Sequence, residues 1–129
     1  MAEFLMKKKA RAFGVKIFKL TRRLRGEYRE YEVTGQLVRS GTSVGANIYE
    51  SEYAESLPDY IHKQSIAQKE ANETIYWLDV LHDADVLDTE TYSNMTKECE
   101  ELLKMLTASI RTAKKHSQEN ETPRKATNH

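Results

Sequence analysis

Met6, Ala10, Phe13, Ile17, Leu20 and Leu24 follow one another at intervals of three and four residues, and that spacing recurs along most of the chain. Residues three and four apart share one face of an α-helix but scatter over both faces of a strand, so the pattern restricts the chain to helices. Val33, Leu37, Val44 and Ile48 form a second stripe, and Tyr60, Ala67, Ala71, Ile75 and Leu78 a third. Tyr92, Met95, Cys99, Leu102, Leu103, Leu106, Ile110 and Ala113 form a fourth. Helix-breaking residues are few, with 2 prolines and 5 glycines. Gly26 is read as the stop of the first helix. Ser56 caps the third, with Pro58 in its first turn and Asp59 completing a capping box, and this helix is expected to run to about Val86. The fourth starts after Asp88.

Four amphipathic helices joined by short connections make antiparallel neighbours, so the expected fold is all-α, an up-down-up-down four-helix bundle occupying residues 1–116. A chain of 129 residues with 39% hydrophobic content suits one such domain. Residues 117–129, SQENETPRKATNH, carry no apolar face and are expected to form a disordered polar tail. No apolar run is long enough to span a bilayer, and the opening MAEFLMKKKARAFG has charges where a secretory signal needs an apolar segment, so the expected location is the cytoplasm. The single cysteine, Cys99, excludes an internal disulfide or a multi-cysteine zinc site, and its place in an apolar stripe marks it as a small buried hydrophobe.

Net charge is zero, but the charges are sorted along the chain. Residues 1–40 hold 11 Lys/Arg against 4 Asp/Glu, residues 41–105 hold 4 against 14, and residues 106–129 hold 5 against 2. The ends are basic and the middle acidic. Lys7, Lys8, Lys9, Arg11, Lys16, Lys19, Arg22, Arg23 and Arg25 crowd the first helix, most of them opposite its apolar stripe and with Val15 and Phe18 among them. A cationic face with an aromatic inside it can follow phosphates and stack a base. It reads equally as a solvated face whose Phe18 packs on a neighbouring subunit.

The second helix carries Gly41 and Gly45 in its interior, each unfavourable by about 1 kcal/mol against alanine, which points to a seam where another backbone comes close. Beside them Arg39, Ser43, Asn47 and Glu50 share a polar stripe, and on the third helix Ile66, Glu70, Glu73 and Trp77 lie together. We expect Arg39 and Asn47 to meet Glu70 or Glu73 in a structural polar network that sets helix register. The stretch QLVRSGTSVGANIYES, followed by SIAQKEANETIYWL, closely resembles the bacterial four-helix-bundle family known as the 23S rRNA intervening-sequence proteins, whose relatives include the accessory variability determinant of diversity-generating retroelements. Gln36, Leu37, Arg39, Ser43, Asn47, Ile48 and Glu50 match one pattern of the family; Ile66, Ala67, Lys69, Glu70, Ala71, Glu73 and Thr74 match the other. The resemblance implies a left-handed bundle assembling as a homopentamer, with no known catalysis, whose better-studied relatives are basic, bind nucleic acid and contact a reverse transcriptase. A net charge of zero sets this chain apart from them, because affinity for nucleic acid grows with the number of phosphates neutralised.

Three further patterns compete for a chemical role. Arg111 and His116 have the R-x4-H spacing of the HEPN ribonucleases, a spacing that also suits a favourable cationic helix end. Asp59 with His62 and Asp79 with His82 approach the carboxylate-His spacing of bundle metal sites but lie on a single helix, so no metal is expected. GTSVG is glycine-rich but helical in context, which removes it as a phosphate loop. The reading is a non-enzymatic oligomeric scaffold, a pentamer by resemblance, that associates with RNA or DNA through the first helix. Its acidic middle would face a basic protein partner, and Phe18 and Trp77 are its interface candidates. A pure protein adaptor and a weak metal-independent ribonuclease using Arg111 and His116 are the alternatives. No catalytic residue, cofactor, membrane contact or small-molecule substrate is expected.

Overall fold

In a computed structural model the chain is described over residues 1–127, with side chains described through Glu119. Helix α1 spans Ala2–Tyr28, α2 Glu32–Ser51, α3 Leu57–Asp83 and α4 Thr89–Thr127. Each helix packs against its neighbour in sequence, and α4 closes the square against α1, while the backbones of the diagonal pairs stay apart. The α1–α4 side is the least extensive of the four contacts. With three to five residues in each connection, successive helices run in opposite directions, giving the up-down-up-down bundle the sequence predicts.

All six residues of the first apolar stripe are buried, and Thr21 joins them by donating its hydroxyl to the Ile17 carbonyl at 2.8 Å. Leu37, Val44 and Ile48 are buried in α2, as are Ala67, Ala71 and Leu78 in α3. Val33, Ile75, Tyr92 and Leu103 pack only partly against this core. Polar groups also enter the interior: the Thr74 and Ser40 hydroxyls meet at 2.9 Å across the α2–α3 contact, and the Gln64 amide reaches the Ser51 hydroxyl at 3.4 Å. Each hydroxyl also bonds a carbonyl of its own helix, which satisfies it inside an apolar core.

The glycine seam is real and faces α1. A Cβ at Gly41 would sit 2.7 Å from Ile17 Cγ2 and 2.9 Å from Cγ1, whereas one at Gly45 would come no closer than 3.4 Å, to the Ala10 carbonyl oxygen. Glycine at 41 therefore lets α1 and α2 approach closely enough to bury Ile17 completely.

Helix ends differ from the sequence reading at two places. Helix α1 passes through Gly26 and stops at Arg29, which takes the left-handed conformation at φ 52° and returns its N–H to the Arg25 carbonyl at 3.0 Å. What holds the turn is Glu30, whose two carboxylate oxygens accept the N–H groups of Val33 at 2.7 Å and Thr34 at 3.0 Å. Burial opposes the charge on Glu30, but these backbone donors prevail and hold its carboxyl below the usual range. Helix α3 ends at Asp83, short of Val86, because the N–H groups of Val86 and Leu87 both fold back to the Leu81 carbonyl. At its start Ser56 accepts from the Asp59 N–H at 3.2 Å as expected, and Asp59 reaches back to the N–H of Glu55. Asp88 caps α4 by accepting from Thr91 at 2.9 Å.

Helix α4 continues to Thr127, past the boundary drawn at residue 117. That boundary coincides instead with the end of packing, since Ala113 is the last buried residue among those whose side chains are described. Good helix formers such as Gln118 and Glu119 can prolong the hydrogen-bond ladder without a core beneath them. Residues 128 and 129 lie outside the described residues.

Candidate nucleic-acid interface

The nine basic residues of α1 divide by the direction in which each leaves the helix. Turned toward α4, Lys9 pairs with Glu101, Lys16 with Glu98, and Arg23 with Asp88 at 3.4 Å and with Glu27 at 3.7 Å. Turned toward α2, Lys7 meets Glu52 at 2.9 Å and lies over the Tyr49 ring at 4.4 Å. The hydrogen bond to Glu52 raises the Lys7 pKa against the desolvation that opposes it. Arg25 donates to the Thr34 hydroxyl at 3.0 Å and lies 5.6 Å from the Tyr31 ring centre. Lys8, Arg11, Lys19 and Arg22 remain, all exposed and none within 4.0 Å of a carboxylate among the described residues. They share the outward face with Val15 and Phe18, which are 49% and 50% exposed, and Arg22 lies 5.9 Å from the Phe18 ring centre. Beside this ridge runs an open groove of about 460 Å³ between α1 and α2, lined by Gly14, Val15, Phe18, Gly45, Ala46 and Tyr49.

The polar stripe of α2 is brought to α3 in part. Arg39 donates to Glu70 at 3.1 Å and also pairs with Glu73, while Gln36 accepts from its Nε at 3.2 Å. Trp77 is half-buried and donates its indole N–H to the same Glu73 oxygen at 3.0 Å, so the ring left exposed here belongs to Tyr76. Asn47 does not join the network. It donates to the Ser43 carbonyl, and Ser43 donates to the Arg39 carbonyl, because both side chains are short enough to bond their own helix. Glu50 pairs separately with Lys63 at 3.2 Å. The cross-helix pairs of Glu98, Glu101 and Glu50 escaped the sequence reading. The available signal was Glu98 and Glu101 standing three apart next to the α4 stripe, which directs both to one neighbour.

A family model for the 23S rRNA-intervening sequence protein matches residues 2–108. The chain belongs to this family. A crystal structure from Bacteroides thetaiotaomicron, described as a protein with unknown function from the S23 ribosomal protein family, is 40% identical, with a TM-score of 0.85, and the match covers 86% of this chain and 99% of that one. No curated protein matches. Neither the 23S rRNA-intervening sequence description nor that of the solved structure names a catalysed reaction.

Arg111 and His116 fall beyond the residues that match the 23S rRNA-intervening sequence family. Arg111 lines a hollow with Gln68 and Thr107, whereas His116 lines a different one, of about 630 Å³, with Met6, Leu57, Tyr60 and Met105 at the end of the bundle. Five residues apart on a helix place the two side chains about 140° from one another. Among the described residues no three His, Cys, Asp or Glu side chains converge as a metal site. Asp79 instead accepts from the Tyr92 hydroxyl at 2.6 Å, and the His82 ring stacks on Tyr92 at 4.1 Å. Cys99 is buried, donates to the Ala71 carbonyl at 3.2 Å, and has its thiol pKa pushed up to about 12 by burial. It is a core residue without nucleophilic character. No described helix is long and apolar enough to cross a membrane.

Proposed function

We propose that this chain is a non-enzymatic scaffold that assembles with copies of itself, holds nucleic acid on the outward face of α1, and offers its acidic α2–α3 side to a protein partner. The observation that carries this reading is the ridge of Lys8, Arg11, Lys19 and Arg22, whose charges no carboxylate among the described residues neutralises, with Val15 and Phe18 exposed beside them. Unpaired cations release counterions on meeting phosphates, and an exposed ring can stack on a base. Assembly multiplies the ridge, and the apolar groove beside it provides surface that a second copy can cover. The family description refers to a 23S rRNA intervening sequence, which makes structured RNA the first nucleic acid to test.

Lys16 and Arg23 are engaged with α4, so the variant that tests the ridge is Lys8→Gln, Arg11→Gln, Lys19→Gln and Arg22→Gln together. Light scattering on the purified protein, followed by salt-titrated binding to structured RNA and duplex DNA, is expected to show an oligomer whose affinity falls steeply with salt and collapses in this variant. An oligomer that binds neither nucleic acid at low salt is instead a protein adaptor. Cleavage of RNA that disappears with His116→Ala would establish the ribonuclease alternative.

A further inference from the structure

Helix α4 carries a second set of unclaimed cations. Lys97, Lys104, Arg111 and Lys115 are spaced by seven, seven and four residues, which places them within about 40° of one another on the helix surface, along roughly 27 Å of its length. All four are exposed, and none lies within 4.0 Å of a carboxylate among the described residues. Of the carboxylates nearest them on α4, Glu98 and Glu101 are paired across the helix contact with Lys16 and Lys9, while the exposed Glu100, between Lys97 and Lys104, forms no ion pair within 4.0 Å among the described residues. The hydrogen bond from Lys9, and to a smaller degree the nearby charges of Lys97 and Lys104, keep the Glu101 carboxyl below its usual range.

We infer that this α4 stripe is a second contact surface for nucleic acid, and that it takes the phosphate backbone of a double helix. The inference rests on the nucleic-acid reading of α1 and extends it to the adjacent helix. Helices α1 and α4 pack side by side, so Lys97 and Lys104 stand across from the α1 ridge beyond a seam that Lys9, Lys16, Glu98 and Glu101 make electrically neutral, and Arg111 and Lys115 continue the stripe along the side of α4 that borders α3. The ridges differ in kind. The α1 ridge has Phe18 and Val15 within it, whereas no large hydrophobic side chain is exposed on the described part of α4. A surface of charges without a ring can neutralise phosphates but has nothing to stack on an unpaired base, which fits backbone contact with a duplex. Arg111, whose spacing from His116 suits a cationic helix end and only in the alternative reading a ribonuclease pair, shares this stripe.

Two variants separate the ridges: Lys97→Gln, Lys104→Gln, Arg111→Gln and Lys115→Gln on α4, and the α1 set above. Binding of wild type and both variants to duplex RNAs of unrelated sequence, and to a single strand, is followed from about 50 to 200 mM salt. The α4 variant is expected to lose at least about tenfold in duplex affinity on every sequence, with the slope of log Kobs against log salt shallower by about 0.9 for each phosphate no longer neutralised. Lys97→Arg, Lys104→Arg and Lys115→Arg together, which keep the charge, are expected to bind duplex as the wild type does. An α4 variant that binds like wild type while the α1 variant fails overturns the stripe and leaves the α1 reading standing. If the wild type binds nothing, the α1 reading falls and the stripe with it. A change in oligomer size in the α4 variant, without weaker duplex binding by the remaining species, overturns it in favour of an interface between copies.

Discussion

Glu30 stands one residue before the N-cap of α2 and takes two of its first free N–H groups, at Val33 and Thr34, while Thr34 donates to the Glu30 carbonyl and accepts from Arg25. One residue thus closes the α1–α2 turn from three sides. Glu30→Gln is expected to cost about 1 kcal/mol of stability at neutral pH, the scale of a missing helix cap, measured by urea unfolding. The pH dependence has a definite sign. The folded pKa of Glu30 lies below its ordinary 4.5, so its contribution is complete above that value and is lost as pH falls through the folded pKa. The gap between wild type and Glu30→Gln should therefore be largest above pH 4.5 and close in more acidic solution. A gap that persists undiminished at low pH would show that packing, and not the charge, fastens the turn. At the same turn Arg29 holds φ 52° without being glycine. Arg29→Gly removes the Cβ that disfavours this conformation and is expected to raise stability by roughly 0.5–1 kcal/mol, or to leave it unchanged if glycine loosens the unfolded chain equally.

Gly41 and Gly26 are both interior to helices, yet they predict opposite responses to the same substitution. Alanine at Gly26 meets nothing within 4 Å, so Gly26→Ala should stabilise by roughly 0.5–1 kcal/mol through helix propensity alone. Alanine at Gly41 drives a methyl into the Ile17 side chain, which is β-branched, stiff at χ1 and completely buried. The propensity gain is then outweighed by overpacking, for a net destabilisation of about 1–2 kcal/mol. Thermal unfolding of the two variants checks the pair, and a stabilised Gly41→Ala would mean that α1 can move away from α2. These elements were legible because a 3.6-residue period marks a buried face directly: every member of the Met6-to-Leu24 stripe is in the core. Helix ends were less so, since Arg29 and the Val86–Leu87 fold-back depend on backbone geometry that residue type does not announce. The candidate site was legible as a face but not as a set of partners. Wheel angles show which way Lys9, Lys16 and Arg23 leave α1, but only the packing of α4 beside it shows that carboxylates wait there.

A neutral chain can still present a cationic surface if its own acids are placed where they cancel only part of the base, and the bundle does this along its thinnest side. The α1–α4 contact has less backbone approach than the other three, and it is bridged by the pairs Lys9–Glu101, Lys16–Glu98 and Arg23–Asp88. All of these are exposed, so they contribute little to stability and weaken as salt rises. Their larger effect is on charge. They withdraw three of the nine cations of α1 from the outward face, and with Lys7 and Arg25 held on the α2 side they leave Lys8, Arg11, Lys19 and Arg22 as the unneutralised set. Removing the acids should then restore what the seam conceals. Glu98→Gln with Glu101→Gln frees Lys9 and Lys16 between the two cationic ridges while keeping side chains of the same size. Circular dichroism and thermal unfolding are expected to be nearly unchanged. RNA affinity should rise, with a salt dependence steeper by up to about 1.8 in log–log slope, the increment for two more neutralised phosphates. An unchanged affinity in a folded variant would place the bound nucleic acid away from the seam, and would therefore separate the α1 and α4 ridges into independent surfaces.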